Sequence, residues 1–311
     1  MASGSNSDKR NTEALPSQTS LISNQSQSLS SSIIEGEDKL RSELIERLEK
    51  LQNQLNSLQA ASNGSLSDAS QASQKNVFAN RKALVIGNDT YKSVPKLLNA
   101  REDARTIASN LTAVGYQVTL KLDLDEKEMK AALRIFAEQV QGGDEVLFFF
   151  AGHGVQLGST NYLLPIDLAG NSEAQVRDEA IQLQRILDDM SDRKAKFTLA
   201  MIDACRDNPF KSSGRAIGGR GLAPTTAATG QMVIFSAGTG QQALDKLGNT
   251  DKNKNGLFTR VFVQEMQKPN LSVDRVVKNV RNKVAELAKT VGHEQVPAIY
   301  DQVLGDFYFK K

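Results

Sequence analysis

The sequence predicts an α/β fold built on a six-stranded, mainly parallel sheet with helices on both faces. Three observations carry that prediction. Short apolar runs of strand length, among them Lys82–Gly87, Val146–Phe150 and Phe197–Ile202, alternate with segments of helical spacing, the pattern of strands joined by crossover helices. Two of those runs break off into small or polar residues, Gly152-His153-Gly154 and Asp203-Ala204-Cys205. Functional groups gather at such carboxyl ends, where the flanking helices leave a crevice. Hydrophobic residues make up 39% of 311, enough for one sizeable core.

Residues 1–32 are rich in Ser, Asn and Gln and are expected to be disordered. From 33 to 59 the pattern changes, with Leu44, Leu48, Leu51, Leu55 and Leu58 in heptad spacing among charged residues. Two readings fit this extension. It is either a short coiled coil for self-association or for a partner helix, or an amphipathic helix folded on the domain's own surface. Residues 60–79 read as a flexible linker, and 80–311 as the folded domain.

Within that domain Lys82–Gly87 is the first strand. Asn99–Val114 has helical spacing through Ala104, Ile107 and Leu111, with Gly115 as its stop. Val118–Leu122 is a strand and Glu126–Val140 a helix closed by Gly142-Gly143. Val146–Phe150 and Phe197–Ile202 are the strands that bear the polar endings, with a helix around Ile181–Met190 between them. Met232–Phe235 is a fifth strand, Leu257–Met266 and Val273–Thr290 are helices, and Asp306–Phe309 is expected to close the sheet.

Composition excludes several classes. A net charge of +2, from 38 basic and 36 acidic residues, gives no sign of a nucleic-acid partner. No apolar run approaches the roughly 18 residues of a membrane span. A single cysteine excludes an internal disulfide framework and a multi-cysteine zinc site. Met1–Arg10 lacks the apolar core of a signal peptide, so the chain reads as cytoplasmic as it stands. A leader replaced by Met1-Ala2-Ser3-Gly4-Ser5 would make it periplasmic or secreted, and the compartment stays open.

The chemistry centres on Cys205. A thiolate is a strong nucleophile once a base has taken its proton. Of the two histidines, His153 shares the strand-end setting of Cys205, whereas His293 has no comparable surroundings and reads as structural. Roughly 50 residues separate His153 from Cys205, the upstream spacing characteristic of caspases.

Asp203-Ala204-Cys205-Arg206-Asp207 resembles the caspase nucleophile motif, with aspartate where animal caspases carry glutamine. Phe150-Ala151-Gly152-His153-Gly154 resembles the histidine motif of the metacaspase and bacterial caspase-like branch. Lys82–Asn88, Asn161–Asp167, Phe235–Gly238 and Gly256–Thr259 are similar to further family segments in the family's order. The resemblance spans about residues 80–310 and implies a caspase-like fold. It implies a Cys205–His153 dyad, an oxyanion hole from the Gly154 and Cys205 amides, and cleavage of protein substrates.

Asp203 bears on specificity. A carboxylate there would repel a substrate aspartate and attract Arg or Lys, as in metacaspase-like relatives. The alternative is an aspartate that only orients the loop around Cys205. Asp245 matches a loop bordering the same pocket, or else is a solvated turn residue. The family resemblance further makes the 208–232 loop, with Lys211, Arg215 and Arg220, a candidate for self-cleavage, with an uncut surface loop as the alternative.

Calcium is conceivable through Asp167, Asp178 and Glu179, which read better as solvated acids. Asp251-Lys252-Asn253-Lys254-Asn255-Gly256 opens like a calcium loop, but Phe262 stands where the closing glutamate belongs, so it reads as a turn before the next helix. A catalytically silent scaffold acting through residues 33–59, or ligation on the same dyad, are the rival functions.

Overall fold

A computed structural model describes residues 81–170, 172–205 and 222–311, together with Glu43, Glu46, Arg47 and Lys50, which are helical and exposed. Of Cys205 it describes the backbone. The seam leucines of the 33–59 segment and the linker at 60–79 lie outside the described residues. The chain divides into two units, residues 1–72 and 73–311, and every described strand lies in the second.

The elements of that second unit run β1 (Arg81–Gly87), α1 (Ala100–Ala113), β2 (Gln117–Leu122), α2 (Glu126–Gln139), β3 (Glu145–Leu157), β4 (Thr160–Leu163), α3 (Glu173–Glu179), β5 (Ile181–Gln182), α4 (Leu183–Asp192), β6 (Phe197–Cys205), β7 (Gln231–Phe235), α5 (Leu257–Met266), α6 (Val273–Lys289) and β8 (Ala298–Asp301). The main sheet has the order β2-β1-β3-β6-β7-β8. Its first five strands are parallel, and β8 joins antiparallel at the edge. The expected α/β architecture is therefore present.

Strand alternation divides the core into two layers. Ala83 and Val85, Leu147 and Phe149, Leu199 and Met201 pack with α1, α5 and α6 on one face. Their in-between neighbours Leu84, Ile86, Phe148, Phe150, Ala200 and Ile202 pack with α2 and α4 on the other. Strands buried on both faces read as continuous apolar runs, which is why Leu147–Phe150 shows no period. The helices start for local reasons. Asp125 caps α2 in a reciprocal box with Glu128, and the Ser172 side chain caps α3.

Three expectations need correction. The strand predicted to end at Phe150 runs on to Leu157, because its last residues leave the main sheet and pair antiparallel with β4. His153 therefore sits inside a strand, at the point where β3 departs from the main sheet, and not at a strand end. The helix expected from Ile181 starts at Leu183, since Ile181 and Gln182 are taken up as β5 against β4. The closing strand is Ala298–Asp301, paired with β7, and not Asp306–Phe309. The alternation of Phe307 and Phe309 mimics a strand, but both rings plug the core. Phe307 stacks on Phe197 at 4.3 Å, and Phe309 meets Phe262 edge-on at 5.7 Å.

The close approach of α1 to β1 depends on Gly87. A Cβ there would lie 2.5 Å from the Ala100 carbonyl oxygen and 2.6 Å from Ala104 Cβ. Gly87→Ala is expected to destabilise the domain by about 2 kcal/mol or more, as overpacking against backbone does. A lowered urea midpoint would report it, and a midpoint equal to wild type would show that α1 can slide.

Candidate active site

Strands β3 and β6 pair in parallel from Glu145 opposite Phe197 to His153 opposite Cys205, with Ala151 opposite Asp203. Neighbouring strands lie about 4.8 Å apart, so this register alone brings the two sequence motifs together. Gly152 makes room beside them. A Cβ there would stand 2.6 Å from the Tyr91 hydroxyl and 2.7 Å from Phe150 Cζ.

His153 is 5% exposed and held on several sides. Its Nε2 lies 2.7 Å from the Pro95 carbonyl oxygen. A carbonyl can only accept, so Nε2 carries the proton and neutral His153 keeps its lone pair on Nδ1. That Nδ1 is buried and meets no hydrogen-bond partner among the described residues. The Tyr91 hydroxyl accepts the His153 amide at 2.8 Å and donates to the Leu164 carbonyl at 3.1 Å, while its ring packs on the imidazole at 4.6 Å. Burial pushes the imidazole below its ordinary pKa, and the Pro95 carbonyl partly offsets that. An imidazole so tied is a neutral base with one bare nitrogen.

No residue pattern in the sequence points to a group orienting His153. The structure supplies a backbone carbonyl from the loop after β1, and a carbonyl leaves no mark in a sequence.

Beside His153 three carboxylates border one cleft, Asp103, Asp203 and Asp245, together with Ala151 and Gly152. Asp203, at the end of β6, accepts from the Thr259 hydroxyl at 3.3 Å. Loss of water raises it to about 6, with repulsion from Asp245 in the same direction and the Ser236 and Thr259 hydroxyls opposing. Asp245 stands at the exposed rim and is raised by partial desolvation.

Asp103, on α1, does not stand out in the sequence, where it reads as one acid in a helical turn. It is 4% exposed and accepts from Asn255 Nδ2 at 2.8 Å and the Gly256 amide at 3.0 Å. Burial first, then the charge of Asp203, raises it to about 8. Among the described residues no basic side chain forms an ion pair with any of the three. The Lys246 charge acts on Asp245, but acids gathered without an ion pair cost stability unless a cation arrives from outside.

Gly154, next in β3, packs under Leu222, whose Cδ2 would lie 3.1 Å from an added Cβ. The side chain of Asn161 then holds Ala223 by two hydrogen bonds, at 2.8 Å to its carbonyl and 2.5 Å from its amide. Lys211, Arg215 and Arg220 lie outside the described residues. Asp167 accepts the Glu126 amide at 2.9 Å and Glu179 accepts from Gln175 at 2.7 Å. Among the described residues, no group of three or more side chains that includes them or Asp178 is arranged to hold a metal ion. His293 donates through Nε2 to the Gln242 carbonyl at 2.9 Å and does not line the acidic cleft.

The crowded acids have a consequence for stability. Folded Asp103 keeps its proton up to about 8, whereas the unfolded chain loses it near the usual 3.8. Between those limits the folded state binds the extra proton, so this residue's contribution weakens as pH rises. Asp103→Asn is expected to leave the urea midpoint little changed at about pH 3.5, and to raise it relative to wild type increasingly above that, most at about pH 9. Equal midpoints at both values would show Asp103 to be ionised throughout.

Comparison with known proteins gives the family. Residues 80–308 match the caspase domain family. The human mucosa-associated lymphoid tissue lymphoma translocation protein 1 is 26% identical over 136 residues, which are 44% of this chain and 16% of that protein. Its mouse homologue is 28% identical over 124 residues, 40% of this chain and 14% of the mouse protein. The matched stretch thus spans about a sixth of those relatives. With the family matched over nearly the whole second unit, this chain belongs to the caspase domain family of cysteine peptidases.

Proposed function

We propose that the chain is a cysteine endopeptidase that cleaves after Arg or Lys. The observation that carries the reading is the set of three carboxylates, Asp103, Asp203 and Asp245, bordering one cleft with Gly152, the neighbour of His153, and with no ion pair to any of them among the described residues. A guanidinium or ammonium entering that cleft would replace lost water and relieve their repulsion. An aspartate side chain would instead add a further negative charge to the cleft. Membership of the family implies protein or peptide substrates.

The chemistry follows from the register and the tautomer. In this reading the Cys205 thiol gives its proton to Nδ1 of His153, the nitrogen that Pro95 leaves free. The thiolate attacks the substrate carbonyl carbon, and the negative charge that develops on oxygen is met by the Gly154 and Cys205 amides. His153 then passes its proton to the leaving amine nitrogen, the carbon–nitrogen bond breaks and a thioester forms. Water, losing a proton to His153, hydrolyses that thioester and restores the thiol. Low basicity of a buried imidazole helps the second transfer, because a weakly held proton is readily given up.

The same specificity would make the loop between β6 and β7 a substrate of its own enzyme at Lys211, Arg215 or Arg220. Anchoring of Leu222 and Ala223 by Gly154 and Asn161 would keep the new end in place after such a cut.

The reading is tested with paired fluorogenic peptides ending in Arg, Lys or Asp, with and without a calcium chelator, for wild type and Cys205→Ala. Cleavage after Arg and Lys, absent in the variant, is expected; cleavage after Asp, or none, would overturn the assignment. Ionisation of the pocket gives a second outcome. As pH rises from about 6 to about 8, the values to which Asp203 and Asp103 are raised, the KM of the Arg peptide is expected to fall. A KM that rises over that range would contradict a carboxylate pocket. Incubation of wild type, but not Cys205→Ala, is expected to yield two fragments divided between residues 206 and 221. Intact wild-type chain after prolonged turnover would refute self-cleavage.

A further inference from the structure

The segment Asp251-Lys252-Asn253-Lys254-Asn255-Gly256 has the opening of a calcium loop without its closing acid, Phe262 standing in that place. In the structure a guanidinium reaches into this segment. Arg260, on the first turn of α5, places Nη1 2.6 Å from Asp251 Oδ2 and Nη2 2.8 Å from the Asn255 carbonyl. The same Nη2 donates to the carbonyl of Asp245 at 3.1 Å, and Nε approaches the Gly256 carbonyl at 3.4 Å. The Arg260 side chain is 11% exposed and that of Asp251 13%. Amides of Leu247 and Asn253, followed by Arg260, hold Asp251 below the usual carboxylate range, so the pair is fully charged.

One helical turn thereby reaches all three pocket acids. The Gly256 amide donates to Asp103, the Thr259 hydroxyl donates to Asp203, and Arg260 grips the main chain of Asp245. Asn255, whose carbonyl Arg260 holds, sends its own amide to Asp103 at 2.8 Å. A planar fork of donors can join three acceptors at once, which a lysine ammonium in the same place cannot do with the same geometry. The charge of Arg260 would oppose a basic substrate nearby, and Asp251 cancels it.

We propose that Arg260 is a positioning residue of the specificity pocket. Its guanidinium, neutralised by Asp251, fixes the Asp245 and Asn255 main chains and so sets the spacing of the acids that receive the substrate's basic side chain. The proposal rests on the basic-residue reading of the pocket.

The test compares wild type with Arg260→Met, Arg260→Lys and Asp251→Asn on peptides ending in Arg and in Lys. Alkylation of the single cysteine by iodoacetamide is followed in parallel, since that reaction does not use the pocket. For Arg260→Met, KM for the Arg peptide is expected to rise about 10-fold or more with kcat within about threefold. The Arg-to-Lys preference should shift by about threefold or more while the alkylation rate holds. Asp251→Asn should raise KM in the same direction, because it leaves a positive charge uncancelled, and Arg260→Lys should fall between.

Equal losses on both peptides, in step with a slower alkylation, would make Arg260 a staple of the fold and overturn the proposal. So would unaltered KM and preference. Should Arg260→Met fail to fold, Asp251→Asn and Arg260→Lys decide by the same criteria. Wild type that cleaves neither peptide defeats the pocket reading and this proposal together. Wild type that cleaves both, with variants indistinguishable from it, defeats this proposal alone.

Discussion

The pairing of β3 with β6 is the interaction on which the rest depends. From Glu145 opposite Phe197 to His153 opposite Cys205 the two strands run in one register. A slip of one residue would exchange the faces of either strand, sending Phe148 and Phe150 toward α1 and taking His153 away from Cys205. Phe148, Phe149 and Phe150 are all fully buried, so the core itself resists that slip. Hydrophobic packing over the length of the strands thus fixes the geometry of the few polar residues at their ends.

Around that pair the molecule accepts electrostatic cost. Three acids share a cleft, two of them raised to about 6 and about 8, and the imidazole beside them is pushed the other way. Such crowding weakens a folded state, and proteins commonly tolerate it where a ligand will compensate. The supports are polar and local. Tyr91 holds the backbone and ring of His153, Thr259 and Gly256 hold two of the acids, and Asn88 ties the loop after β1 to Leu124 and Leu164.

Much of the fold was legible because burial on both faces imposes continuous apolar runs and helices impose their own spacing. The spacing of Leu257–Met266 matches its helix to the residue, and that of α1, α2 and α6 to within one at either end. What misled was local pattern overruled by partners distant in sequence. The small residues after Phe150 read as an ending, but Ala151–His153 stay paired with β6 and β4 folds back to pair from Gly154 on. Phe307 and Phe309 alternate like a strand while serving as plugs. In the site, side chains with rare chemistry were visible and common ones were not. The only cysteine and one of two histidines drew attention to themselves. Asp103, one acid among 36, and the carbonyl of Pro95 gained meaning only from where the chain carries them.

The anchoring of Leu222 and Ala223 has a consequence for connectivity. The strand before the intervening loop, β6, and the strand after it, β7, are neighbours in one sheet and pair from Thr198 opposite Gln231 to Ile202 opposite Phe235. Covalent continuity between them is therefore redundant with the hydrogen bonds and packing that already join them. Two polypeptides divided at that loop would be bound by the folding energy itself, and separating them would mean unfolding the sheet. Dilution could not part the two pieces, so a molecule cut at that loop would keep its sheet for as long as it stays folded.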